Sequence, residues 1–262
     1  MLTSIGPVLF SFPSRHHPLP SGSRTTFTTS ISSPSGLHPQ LSLSFRAASL
    51  KPPKDSCALH AYLTLPSAVF LDRYQLSDPL FLASHRLVAL HSLSLSGEQD
   101  LEAPDWVVKR WGSAALIELA HPDAANSNSK EWNATIPTHL RYLAAQTNTT
   151  TPSYVDLSIP DPAVFWACEA EEGLKMATNP FDRVNLGYDG LFGPKTMFYH
   201  VPPGVSEGQQ LVKSVKVPVL DQGNAWSIQV GSAVAVALGF AWMIYRLLRP
   251  LPARNTNQKK AI

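Results

Sequence analysis

Histidines and carboxylates are the side chains of this chain best suited to chemistry near neutral pH, and their spacing limits what they could do. His16 and His17 stand side by side after Arg15, with no third ligand at a useful interval, so they read as exposed loop residues and not as metal ligands. Glu169, Glu171 and Glu172 form an acidic run at a predicted turn, the pattern of a solvated charge cluster. His121, His139 and His200 have no evident nucleophile or acidic partner, so no Ser-His-Asp relay is proposed. There is no HExxH helix, no GxxxxGK[ST] phosphate loop and no GxGxxG turn. An Asp-x-Asp pair, which can hold a divalent cation on a nucleotide sugar, is also missing. The expectation is a protein with no catalytic, cofactor-binding or metal-ligating residue of its own.

Covalent and signal chemistry is better represented. Asn133-Ala134-Thr135 and Asn148-Thr149-Thr150 satisfy the N-glycosylation pattern, whereas Asn179 precedes Pro180 and does not. Cys57 and Cys168 are the two cysteines; a bridge between them suits an oxidising compartment, and two buried thiols fit the sequence equally well. The chain ends Gln258-Lys259-Lys260-Ala261-Ile262, and this placement of Lys259 and Lys260 resembles the dilysine signal that returns type I membrane proteins to the endoplasmic reticulum.

These groups must be positioned by a membrane anchor and a domain in front of it. From Trp226 to Tyr245 no residue is charged, and roughly 20 such residues suffice to cross a bilayer as a helix. Trp226, Trp242 and Tyr245 suit the interfaces, while Arg246, Arg249, Arg254, Lys259 and Lys260 follow with no acidic residue among them. By the positive-inside rule the tail, residues 246–262, is cytosolic and everything before the span is lumenal, the side on which sequons are used. Residues 226–245 are thus the expected span, and no second one appears. Met1 to Phe12 makes a poor signal peptide, being interrupted by Pro7 and lacking an early basic residue, so an unconventional signal or an incomplete start is expected. The net charge of +2, with basic residues scattered outside the tail, argues against a nucleic-acid partner.

Residues 1–36 are rich in Ser, Thr and Pro and read as disordered. Residues 37–222 form the expected lumenal domain. Short apolar or alternating runs recur there, among them Leu41 to Phe45, Cys57 to Leu65, Arg86 to Leu95, Ala114 to Leu119, His139 to Leu143, Ala163 to Cys168 and Leu211 to Leu220, with Pro or Gly between many of them. The fold class predicted is mainly β, an antiparallel sandwich-like domain followed by one C-terminal transmembrane helix. Asn126 to Trp132 reads as a polar loop. Asn179 to Pro194 reads as a long loop whose large apolar side chains pack on the sheet or meet a partner.

Four strings, in order, bear a resemblance: Ser35-Gly36-Leu37-His38-Pro39-Gln40-Leu41, Val69-Phe70-Leu71-Asp72-Arg73-Tyr74-Gln75-Leu76, Ile136-Pro137-Thr138-His139-Leu140-Arg141-Tyr142-Leu143 and Pro162-Ala163-Val164-Phe165-Trp166-Ala167-Cys168. From about Leu37 through the anchor the chain resembles the PIG-X family. The more specific marks are Pro137, His139, Arg141 and Tyr142 in one string and Phe165, Trp166 and Cys168 in another; His38, Pro39, Asp72 and Tyr74 complete the set. The resemblance implies a non-catalytic subunit of glycosylphosphatidylinositol (GPI) mannosyltransferase I in the endoplasmic reticulum membrane. Its implied partner is a polytopic PIG-M-type subunit that takes the first mannose from dolichol-phosphate mannose. A lumenal chaperone or cargo receptor of type I topology is the alternative, and an anchored lumenal hydrolase or transferase a third.

Overall fold

Period-two burial organises the domain. In Gln40–Arg46, Leu41, Leu43 and Phe45 are buried and their neighbours are not, as a strand with one face on a core requires. Gly112–Leu119 is buried along nearly its whole length, the mark of a strand covered on both faces. The computed structural model describes residues 15–32, 37–46, 50–87, 94–108, 111–120, 131–147, 154–172, 187–204 and 210–249. In chain order these include strands β1 (His16–Pro18), β2 (Phe27–Ile31), β3 (Gln40–Arg46), β4 (Cys57–Pro66), β5 (Val69–Phe70), β6 (Ser94–Gly97), β7 (Gly112–Leu119), β8 (Glu131–Pro137), β9 (His139–Leu140), β10 (Tyr154–Pro160), β11 (Ala163–Glu169), β12 (Thr196–Val201) and β13 (Val212–Pro218). The α-helices are α1 (Pro79–Ser84) and α2 (Gln222–Leu248).

A six-stranded sheet runs β1-β12-β11-β4-β7-β6, and a three-stranded sheet runs β2-β3-β8; β10-β13 and β5-β9 pair separately. Neighbours in the two larger sheets are antiparallel except β1, which lies parallel to β12. One hydrophobic cluster takes Leu59, Leu63, Ile117 and Trp166 from the larger sheet and Leu43, Phe45, Trp132 and Ile136 from the smaller, so the two sheets enclose a common core. The opposite face of the larger sheet carries a second cluster of Leu116, Phe165, Ala167 and Phe198, onto which Tyr188 packs, with Phe192 beside it. The long loop therefore packs on the sheet over its described part, residues 187–194.

The mainly β class with a single terminal apolar helix is as expected, but several boundaries differ. Residues 1–36 are not all without structure, because β1 and β2 lie there. Phe27 is buried against Phe45, and Thr28 and Ser30 form the exposed polar alternates of β2, so a composition typical of disorder is here a half-buried edge strand. Glu131 and Trp132 begin β8 instead of closing a polar loop; Trp132 is buried between Phe45 and the Arg86 guanidinium. Arg86 has φ 59° and turns the chain, so no strand begins there. Beyond Leu140 the run toward Leu143 leaves the strand.

A second unit comprises residues 144–153 and 218–262. Within it Gln146 accepts from the Gln222 N–H and donates to the Leu220 carbonyl, and the Asp221 carboxylate caps the helix at Gly223. α2 extends from Gln222 to Leu248, past both ends of the 226–245 span expected, with mean hydropathy 1.7 over its most apolar stretch. Its 27 residues are long and apolar enough to cross a membrane.

Candidate interaction surface

Three of the four strings converge. Thr138 donates from both its N–H and its hydroxyl to the Pro39 carbonyl, and the Leu140 N–H donates to the Leu37 carbonyl. β9 pairs with β5, opposing Val69 to Leu140 and Phe70 to His139. Phe70 is then held between two motif residues: the His139 ring stacks on it at 5.2 Å and the Arg141 guanidinium lies 4.5 Å from its centroid.

His139 links the strings through hydrogen bonds. Its Nε2 lies 2.9 Å from Gln75 Oε1, an acceptor, so Nε2 carries the proton. Its Nδ1 therefore accepts from His38 Nδ1 across 2.8 Å. Burial, with the neighbouring His38, lowers the His139 pKa, which agrees with a neutral ring. The Asp72 carboxylate accepts the Tyr74 N–H and closes the turn into residues 75–77.

Arg141 does structural work. Only 3% exposed, it donates through Nη1 to the carbonyls of Asp100 and Ala103, and its backbone N–H donates to the Ala68 carbonyl. Burial pulls its pKa down while Glu98, Asp100 and Asp105 push it up. The Asp105 N–H donates to the Tyr142 carbonyl, so the 98–105 loop is tied to the motif at both Arg141 and Tyr142. Pro39, Pro137 and Arg141 are buried, whereas His38, Tyr74 and Tyr142 face solvent. The third string thus combines support with surface.

The fourth string lies elsewhere. On β11 Phe165 faces the second cluster, while Trp166 and Cys168 face the main core. Cys168 is opposite Cys57 in the β4–β11 register, and the two are joined by a disulfide. Of the two readings of these cysteines, the bridge is the one present.

One cluster escaped the sequence reading. His16 is not an exposed loop residue: its Nε2 donates to the Asp189 carboxylate at 3.1 Å, and its Nδ1 lies 2.9 Å from His200 Nε2. The three side chains thus form a hydrogen-bonded chain His200–His16–Asp189. The Tyr188 hydroxyl lies 3.4 Å from His200 Nε2. Arg15 clamps the same loop by donating to the carbonyls of Asp189, Gly193 and Thr196. Burial lowers the His200 pKa and raises that of Tyr188. His200 therefore has an acidic relay after all, but 173 positions separate His16 from Asp189, so spacing could not disclose it. The network ties β1 and β12 to the 187–194 loop.

The remaining candidates are simply placed. Asn133 is exposed on β8, and Asn148, His121, Lys259 and Lys260 lie outside the described residues. Glu171 pairs with Lys54 at 2.9 Å on the surface, as a solvated carboxylate would. Gly204-Val205-Ser206-Glu207-Gly208 spells GxSxG, a pattern whose nucleophile elbow requires a strand-to-helix turn. It falls between β12 and β13 in the chain, and Val205 to Gln209 lie outside the described residues. Among the described residues no group of three His, Cys, Asp or Glu is arranged to hold a metal.

Comparison with known proteins gives the frame for this surface. The PIG-X / PBN1 family model matches residues 34–248. The chain belongs to the PIG-X / PBN1 family. Protein pbn1 of Aspergillus fumigatus is 53% identical over 257 residues, which is 92% of this chain and 50% of that protein. Protein pbn1 of Aspergillus oryzae is 49% identical, covering 97% of this chain and 48% of its own length. Protein PBN1 of Saccharomyces cerevisiae is 31% identical over 181 residues, 68% of this chain and 36% of that protein. The chain spans about half the length of the first two relatives. The family stretch takes in His38, Asp72, His139, Arg141, Trp166 and all of α2, but begins after β1 and β2.

Proposed function

We propose that the protein is a non-catalytic, stabilising subunit of GPI mannosyltransferase I in the endoplasmic reticulum membrane. It would support the polytopic PIG-M-type subunit that adds the first mannose to the GPI precursor, with dolichol-phosphate mannose as that partner's donor. The observation that carries the reading is the family match, which runs unbroken from the first motif through the terminal apolar helix. The domain's geometry is compatible with it, since the motif residues hold a surface together instead of converging on a reacting atom.

Physically, such a subunit binds the folded catalytic chain and draws it away from unfolded or degraded forms, which is stabilisation by mass action. Helix α2 offers a face of small residues, with Gly231 and Gly239 open to close approach by another helix. Depleting the protein in its host should lower both the catalytic subunit and the GPI-anchored proteins at the cell surface, read by immunoblot and flow cytometry. Unchanged levels of both would sink the proposal.

A further inference from the structure

We propose that the face formed by Tyr74, Trp106, Val107 and Tyr142 docks a basic segment of a protein partner, taken to be the multi-spanning subunit of the function proposed above. These side chains are 68%, 60%, 54% and 69% exposed. They are linked through the chain beneath them. Trp106 and Val107 follow Asp105, whose N–H is bonded to Tyr142; Arg73, which lies over the Tyr74 ring, reaches Gln99 in the same loop.

The face is held in place from below. Arg141 anchors the loop through two carbonyls, Asp100 accepts the Glu102 N–H, and Glu98 accepts the N–H groups of Gln99 and Asp100. Ordering is thus complete before any partner arrives, which lowers the entropic cost of docking. Tyr and Trp are also the residues that most often carry binding energy at interfaces.

Charge selects the occupant. Asp100 and Glu102 are exposed in the loop that leads to Trp106, Glu98 is half-buried in the same loop, and residues 94–108 contain no Lys or Arg. Arg141 is buried under the loop, Arg73 is the one cation of this face among the described residues, and Lys109 and Arg110 lie outside them. An acidic loop complements a basic peptide segment and opposes an anionic lipid surface.

The test uses the full chain in native membranes, with a photoreactive residue placed at Trp106 or Tyr142 and, as controls, at the exposed Tyr154 or Leu191. Irradiation should join positions 106 and 142, but not 154 and 191, to the multi-spanning subunit. Trp106→Ala and Glu102→Lys should each weaken its co-purification by about tenfold or more, the size of a hot-spot loss. Adducts with lipid alone, with a second copy of the chain, or equally from all four positions would overturn the docking face. So would a complex that forms normally with both variants. If the unmodified protein fails to co-purify with the multi-spanning subunit at all, the proposed function fails first.

Discussion

His200 shows how one buried ring can set the response of the domain to acid. Burial and then the adjacent His16 hold its pKa below the ordinary 6.5, and burial does the same to His60 and His139. A histidine depressed in the folded state leaves stability intact above about 6.5, where folded and unfolded rings are both neutral. As pH falls through that value the unfolded chain takes up protons first, so stability declines toward the folded-state pKa. The unfolding temperature of the full chain in detergent should therefore be lower at pH 5.5 than at pH 7.5, and His200→Gln should shrink the difference. Equal midpoints for the unmodified chain at the two pH values would refute the assignment. His16, Tyr188, Asp189 and His200 could not be grouped from the sequence, because β1 and the 187–194 loop meet only through pairing with β12 and packing on its sheet. Arg141 and Tyr142 were visible as a motif, but their division of labour was not. Sequence spacing cannot tell a guanidinium turned inward to bind carbonyls from a ring turned out to water.

At the scale of elements, β4 and β11 join the middle of the larger sheet, and the Cys57–Cys168 bridge links their directly opposed residues. It closes a loop of 111 positions, so its removal should release considerable freedom in the unfolded chain. Cys57→Ala with Cys168→Ala is expected to cost about 2–5 kcal/mol, seen as a lower denaturation midpoint with an unchanged circular dichroism spectrum. A midpoint equal to that of the unmodified protein would show that strand pairing alone fixes the register. Strands such as β3, β4, β7, β11 and β13 were legible because alternation or continuous burial is written into each. β1, β2 and β8 were not. They are short or polar on one face; β1 and β8 become strands through partners more than 80 residues away, as in the pairing of Phe45 with Trp132, and β2 is the edge strand beside β3. Local propensity contains no trace of such a partner.

For the whole molecule, the decisive question is which side of a membrane the domain occupies. Asn133 is exposed near the middle of β8, on the polar face that also carries Ser42, Ser44 and Thr135. A lumenal domain should be glycosylated there, so endoglycosidase H should increase the mobility of the full chain on a gel, and Asn133→Gln should remove one glycan's shift. Absence of any shift, with both sequons intact, would place the domain away from the glycosylation machinery and undermine the topology. By itself the sequence determined the class of the domain, the terminal apolar helix, the basic tail and the family, because each is written in local order: alternation, an uncharged run, charge bias and short motifs. Tertiary structure alone decided that the two cysteines are bonded, that the polar start supplies two strands, that Arg141 props up a loop, and that the same loop is tied to Tyr142. Each of those facts depends on contacts between distant residues, whose free energy appears only when the sheets close on one core.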